Sequence, residues 1–269
     1  MLKKLFRKLK KKSPQPVSRH DELQAQFPDF DEDSIKTIES VEPYTMTSPE
    51  RVYSVCQSAR YLVENEIDGD IVECGVWRGG SMMAIARTLL QAADRDRTLH
   101  LYDTFSGMPP ATDVDRDFLD QAAADQLDSQ DKQDPKSVWC YSGLDEVKAN
   151  LSKTSYPATN LRFVQGKVED TLLDDLPEKI SMLRLDTDWY ESTKVCLEQL
   201  YPRLVPGGIL IIDDYGHWQG CQKAVDEYFQ KIGVPVFLQR IDYTGRITVK
   251  PIQNSNGSQT SHSGLKATA

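Results

Sequence analysis

The stretch IVECGVWRGGSM, residues 71–82, decides the fold. Ile71 to Cys74 is a short apolar run of the kind that forms a buried strand. Gly75 to Gly80 then turn the chain into a helix carrying Met82, Met83, Ile85, Ala86, Leu89 and Leu90. A strand that ends in glycines and runs into a helix opens a parallel α/β sheet, whose strands are apolar throughout because helices cover both faces. The glycine spacing is not the G-x-G-x-x-G of a dinucleotide fold. A cofactor without a pyrophosphate, such as S-adenosylmethionine, needs only one or two of the unpaired N–H groups at the helix start for its carboxylate. A plain tight turn would use the same glycines.

Working outward, Ser48-Pro49-Glu50 predicts a helix start, with serine as cap and proline in the first turn. Val52, Val55, Ala59 and Leu62 follow at helical spacing. Downstream, strands are predicted at 99–103, 161–165 and 182–186 and, after a turn at 206–208, at 209–213. Helices are expected from about 192 to 204 and from about 220 to 232. Two last strands, near 236–240 and 246–249, joined by the turn signal Asp242-Tyr243-Thr244-Gly245, would form an antiparallel edge. The segment 111–156 breaks the rhythm: it is polar and acidic, with Asp113, Asp115, Asp117, Asp120, Asp125, Asp128, Asp131 and Asp134. So long an insertion is either a surface excursion or a lid.

Composition narrows the class. With 39% hydrophobic and 27% charged residues in 269, the chain reads as an ordinary soluble globular protein. The net charge is −9 although residues 1–12 hold seven Lys or Arg, so the folded part is clearly acidic, which argues against a nucleic-acid partner. No apolar run reaches the roughly 18–20 residues of a membrane span. The start lacks the apolar core of a signal peptide. Its Leu2, Leu5, Phe6 and Leu9 recur at helical spacing opposite the lysines, so a frayed terminus and a weak peripheral membrane contact are both open. The expected organisation is a basic, flexible 1–20, one domain over 21–252, and a polar, disordered tail at 253–269. Five cysteines without a C-x-x-C pair fit a reducing cytoplasm rather than a disulfide framework.

Three clusters fall at the carboxyl ends of predicted parallel strands, the rim where open α/β sheets bind ligands. The glycine loop is one. Asp103 ends the next strand, in YDTFSGM (102–108), where an acceptor-only carboxylate suits a ribose diol; Phe105 and Ser106 directly after it join the candidate cofactor set. The third is Asp186-Thr187-Asp188 together with Asp213-Asp214. Carboxylates gathered at two adjacent strand ends repel and resist desolvation unless a cation joins them, and an all-oxygen site favours Mg²⁺ or a similar hard ion. The competing reading is a set of acids facing solvent or paired with arginine. His217 is a rival base or a surface residue. Trp77, Trp189, Tyr190, Tyr215 and Trp218 could wall an acceptor pocket.

These motifs, with PYTMTSPERV (43–52), LRLDTDWYEST (183–193), LEQLYPRLVPGGILIIDDYG (197–216) and GCQKAVDEYF (220–229), resemble the macrocin O-methyltransferase family, metal-dependent enzymes that methylate sugar hydroxyls. The motif-bearing stretches run from about Pro43 to Phe229, with the basic start and the tail outside them. The resemblance implies a seven-stranded, Rossmann-like class I methyltransferase fold. It implies that Tyr44, Thr45, Met46, Thr47, Glu73, Gly75, Ser81, Asp103 and Glu169 lie around S-adenosylmethionine. It also implies that Asp186, Asp213 and Asp214 hold the metal and that Asp188 is the general base.

The expected reaction is methyl transfer to a hydroxyl of a sugar or glycosylated small molecule, by a homodimer or higher oligomer. A catechol-like acceptor, which also offers two adjacent oxygens, is the alternative. A nicotinamide oxidoreductase would leave the acids near Asp186 and Asp213 unexplained. A non-catalytic cofactor-binding or partner-methylating protein would also keep the glycine loop.

Overall fold

A computed structural model describes residues 17–174 and 176–252. Its sheet has five parallel strands, β1 (Asp70–Cys74), β2 (Leu99–Asp103), β3 (Leu161–Gln165), β4 (Ile180–Leu185) and β5 (Leu204–Ile212), followed by β6 (Gln239–Arg240) and β7 (Arg246–Val249). The spatial order is β3-β2-β1-β4-β5-β7-β6, and β7 runs antiparallel to both of its neighbours. Nine α-helices occur among the described residues: α1 (Arg19–Gln26), α2 (Glu32–Val41), α3 (Pro49–Glu64), α4 (Gly80–Gln91), α5 (Ala123–Ser129), α6 (Leu144–Ser152), α7 (Val168–Thr171), α8 (Tyr190–Leu200) and α9 (Gln219–Ile232).

Successive strand residues point to opposite layers. Ile71, Leu101, Met182 and Ile211 pack with α2, α3 and α4, whereas Val72, Tyr102, Leu183 and Ile212 pack with α8 and α9. Both faces of the central strands are therefore buried, the physical reason their sequences are apolar without alternation. The chain reverses its direction of winding at β1, between β2 and β4. That reversal opens a crevice above the carboxyl ends of β1 and β4.

Two helices precede the region where the sequence pattern is regular. Asp31 caps α2 by accepting from Ser34 N–H at 2.9 Å, and Ile35, Ile38 and Val41 are buried against the sheet's helical layer. Phe27 stacks on Phe30, and Phe30 on Tyr53 of α3, with ring centroids 4.6 and 3.8 Å apart.

Three boundaries differ from the sequence reading. α8 stops at Leu200 rather than near 204, because Pro202 has no N–H to continue it and the chain tightens into a 3₁₀ turn at Tyr201–Arg203. β5 begins at Leu204, so Pro206, Gly207 and Gly208 lie inside it rather than in a turn. Proline is tolerated there because the β4–β5 register shifts between Ile180 and Met182. β6 is reduced to Gln239–Arg240, a short edge of the kind that resists pairing with another chain.

The acidic segment 111–156 packs onto the rim. Asp115 and Asp117 are buried, while Asp113, Asp120, Asp125, Asp128, Asp131 and Asp134 are exposed. Asp115 accepts from the Tyr190 N–H at 2.8 Å, at the start of α8, where a negative charge suits the helix end. The same carboxylate lies where a Cβ on Gly220, at the start of α9, would have to go. Asp117 forms a β-bridge with Trp218. The expectations for the lysine-rich start and the polar tail concern residues outside the described ones, except at 17–20, where Ser18 caps α1 and Arg19 and His20 begin it in place of a flexible end. No helix among the described residues is long and apolar enough to cross a membrane.

Candidate active site

A cavity of about 530 Å³ opens at the carboxyl ends of the strands. Its floor is the β1–α4 turn. Gly75, at φ 82°, sits so close to β4 that a Cβ would lie 1.8 Å from the Asp186 carbonyl oxygen, and only glycine fits. Gly79 begins α4 in a left-handed conformation and offers no side-chain cap, so the first N–H groups of the helix have no such partner. Ser81, in that first turn, is buried and lines the cavity. Tyr44, Thr45, Met46 and Thr47 form the adjoining wall, with the cations of Arg78 and Lys153 against the Tyr44 ring.

Asp103 ends β2 beside this turn. Its Oδ2 accepts from Val76 and Trp77 N–H at 2.6 and 3.0 Å, and its Oδ1 from Phe105 N–H at 2.6 Å. Burial raises its proton affinity and the three N–H bonds oppose that rise. Of the roughly four lone-pair directions of a carboxylate, about one remains for a ligand hydroxyl. Glu169, on α7, also lines the cavity. Three candidates lie off the cavity wall: the Phe105 ring packs against Phe163, Ser106 is exposed with its N–H on Thr104 Oγ1, and Glu73 is buried against Arg184.

The acids converge. Asp186 after β4, and Asp213 and Asp214 after β5, each bring one carboxylate oxygen within 4.8 Å of the others. Backbone pairing sets this: Asp186 N–H donates to Cys74 O at 2.9 Å and Asp213 N–H to Leu185 O at 2.8 Å, extending the parallel ladder to both residues. Asp188 follows in a left-handed conformation, φ 61°, with its N–H 3.3 Å from Asp214 Oδ2. Trp77 and Cys140, which also line the cavity, share that rare non-glycine conformation at φ 46° and 43°. Such strain persists only where the surrounding structure enforces it.

Two arginines that the sequence reading assigned no role stand among these acids. Arg184 is buried in β4, with Nη1 2.6 Å from Glu73 Oε1 and 2.8 Å from Asp186 Oδ2, and Nη2 2.6 Å from Asp213 Oδ1. Arg51 of α3 pairs with Asp213 and Asp242. A charged residue inside the apolar run Met182-Leu183-Arg184-Leu185 was the available signal, since a buried charge requires a partner. Five carboxylates (Glu73, Asp186, Asp188, Asp213 and Asp214) thus face two guanidiniums. Burial pushes the Glu73, Asp186, Asp188 and Asp214 carboxyls upward, the neighbouring carboxylates push the same way, and Arg184 opposes the rise at Glu73 and Asp186. This excess of buried, all-oxygen negative charge fits a divalent cation.

His217 lines the cavity at its outer end. Its Nδ1 is 3.2 Å from Tyr243 Oη, its ring packs edge-on against Trp218, and burial lowers its pKa. Of the aromatics expected in an acceptor wall, Trp77 and Trp218 line the cavity. Trp189 is buried behind Trp218, while Tyr190 and Tyr215 turn away to Glu227 and Asp226. The acidic segment contributes Gln126, Ser137, Val138 and Cys140 to the wall.

A 3-2-1-4-5-7-6 sheet with its cavity on the glycine turn after β1 is the architecture of a class I S-adenosylmethionine-dependent methyltransferase. Within that class the chain belongs to the macrocin-O-methyltransferase (TylF) family, whose sequence profile matches residues 2–249, a span that takes in the basic start as well as the motifs. It is similar to demethyldecarbamoylnovobiocin O-methyltransferase of Streptomyces niveus, at 36% identity over 75% of this chain and 74% of the relative. It is also similar to mycinamicin III 3''-O-methyltransferase of Micromonospora griseorubida, at 34% identity over 75% and 76%. Among solved structures it resembles the O-methyltransferase NovP, with a TM-score of 0.65 and 35% identity over 78% of this chain and 83% of that one. A calicheamicin methyltransferase, 19% identical over 86% and 90% with a TM-score of 0.59, shares the fold. The chain is accordingly an S-adenosylmethionine-dependent O-methyltransferase.

Proposed function

We propose that this enzyme transfers the methyl group to a hydroxyl of a sugar on a small molecule, with Asp186, Asp213 and Asp214 holding a divalent cation such as Mg²⁺. The observation that carries the reading is the convergence of those three carboxylates in the cavity that also contains the glycine turn. Support for a glycosidic acceptor comes from the relatives, one of them a rhamnosyl-tetracenomycin 4'-O-methyltransferase of Streptomyces olivaceus, 33% identical over 75% of this chain and 74% of the relative.

The glycine turn, Ser81 and the 44–47 loop would receive the methionine end of the donor, with the open N–H groups of α4 suited to its carboxylate. Asp103 and Glu169 would meet its ribose and adenine. A cation at the aspartates would supply Lewis-acid polarisation of the acceptor hydroxyl. Asp188 would take the hydroxyl proton as the oxygen attacks the methyl group and the sulfonium leaves as a neutral thioether. Burial raises the proton affinity of its carboxyl, and a cation at the neighbouring aspartates would offset the contribution those acids make to the rise. The strained backbone, with its N–H on Asp214, fixes where that base points. His217, beside Tyr243 at the mouth, is placed to contact the acceptor and is the second candidate base. The enzyme would work in the cytoplasm as a homo-oligomer.

Labelled-methyl transfer to a panel of glycosides and catechols, with and without Mg²⁺, tests the reading. Glycoside methylation abolished by EDTA and restored by Mg²⁺ is expected. Undiminished turnover in excess EDTA would refute the metal assignment, and methylation of catechols alone would replace the sugar acceptor.

A further inference from the structure

Arg51 lines the cavity with its side chain only 12% exposed. Its Nη1 reaches Asp213 Oδ2, and its Nε donates to Asp242 Oδ2 at 2.9 Å. One guanidinium therefore neutralises a carboxylate of the proposed cation site by direct contact. A divalent ion on that carboxylate would meet a like charge a few ångströms away in a largely dehydrated setting, where repulsion is strong.

The second partner resolves the conflict. Asp242 is held in the β6–β7 turn by the N–H groups of Thr244 and Gly245, at 2.9 and 2.7 Å, and by the Ser48 hydroxyl at 2.8 Å. Arg51 can release Asp213 and remain paired. Arg184 has no such freedom, being 1% exposed between two strands with carboxylates on both sides. Gly245 leaves room for the movable side chain: a Cβ there would lie 2.9 Å from Arg51 Cδ.

We infer that Arg51 is an internal counter-ion that competes with the divalent cation for Asp213 and yields to it by falling back on Asp242, so that Arg51 sets how tightly the cavity takes the metal. The inference rests on the three-aspartate metal site proposed above. A mere strut between α3 and the β6–β7 turn would give a different result when removed: lower stability with no gain in metal binding.

The test is Mn²⁺ binding to the full chain without methyl donor, followed by calorimetry and by the paramagnetic resonance signal of free Mn²⁺. Arg51→Met, which keeps the length and drops the charge, is expected to bind Mn²⁺ about tenfold more tightly. Arg51→Lys is expected to stay close to wild type. Asp242→Asn, which weakens the fallback partner and leaves Arg51 on Asp213, is expected to bind Mn²⁺ more weakly. It keeps the inference open to refutation should Arg51→Met fail to fold. Equal or weaker binding by Arg51→Met, or unchanged or tighter binding by Asp242→Asn, overturns the inference while leaving the metal site intact. Absence of Mn²⁺ binding in wild type and in Arg51→Met alike overturns the metal site and the inference together. Binding by Arg51→Met alone supports both.

Discussion

Arg184 and Glu73 face each other across β4 and β1, Nη1 to Oε1 at 2.6 Å, with 1% of each side chain exposed. They are register partners in the parallel ladder, so the pair is built into the centre of the sheet. Removing Arg184 strands the Glu73 charge where water cannot reach it, at a cost of about 3–5 kcal/mol, whereas Glu73→Gln leaves Arg184 paired with Asp186 and Asp213 and costs less. Arg184→Met is expected to lower the urea midpoint accordingly. The Glu73→Gln/Arg184→Met double variant should recover at most part of the loss, because Asp186 and Asp213 also lean on Arg184.

Gly75→Ala asks for a Cβ 1.8 Å from the Asp186 carbonyl oxygen in a left-handed conformation. The β1–α4 turn and the end of β4 cannot both stay in place. The variant should lose about 2 kcal/mol or more of stability and bind S-adenosylhomocysteine far more weakly, as calorimetry would show.

On the proposed reading, Asp214→Asn removes one cation ligand at nearly constant shape. Methyl transfer should fall on the order of 100-fold, the effect of several kcal/mol of lost charge stabilisation. Affinity for S-adenosylhomocysteine should change little, because Asp214 is not on the glycine turn. Equal losses of both would show that the acids serve the donor instead.

Asp188→Ala and His217→Ala separate the two candidate bases. Single-turnover rates should drop on the order of 100-fold or more for Asp188→Ala. For His217→Ala the KM of the acceptor should rise with a smaller change in kcat. The reverse pattern would transfer the base to the histidine.

Asp31 links acidity to the stability of the amino-terminal helices. Burial alone would raise its carboxyl, but the Arg60 guanidinium and the Ser34 hydroxyl and N–H outweigh that and hold it well below the usual carboxylate range. A depressed pKa contributes in full above the unfolded value of about 3.9 and is lost as pH falls towards the folded one. Asp31→Ala should therefore cost about 1–2 kcal/mol at pH 7, most of it the lost cap, since the carboxylate is 41% exposed and the ion pair is screened. The gap between variant and wild type should narrow below pH 4 in denaturant titrations.

Strands 71–74, 99–103, 161–165, 182–185 and 246–249 were legible because each is an apolar run bounded by glycines, acids or turn residues. α1 was not legible because it buries only Leu23; α2 went unread although Ile35, Ile38 and Val41 recur at helical spacing behind the Asp31 cap. The clustering of Asp186, Asp213 and Asp214 could be anticipated from their places after adjacent strands. That arginine would pair with them was one of the open readings, but which arginines was not legible. Arg51 lies in a helix whose start says nothing about Asp213, 162 residues away, and Arg184 looks like an interruption until its register with Glu73 is known. The off-wall placement of Phe105 follows from a backbone kink at φ 48° that no residue type announces.

Asp115 is anchored where α8 and α9 begin, at the edge of a segment that walls the cavity. Anyone wishing to redirect this enzyme to a new acceptor therefore has a natural exchange cassette in residues 118–142. Its boundary condition is equally plain. Asp115 and the Asp117–Trp218 bridge have to be carried over unchanged, or the transplanted wall will unseat the helices that follow the catalytic strands.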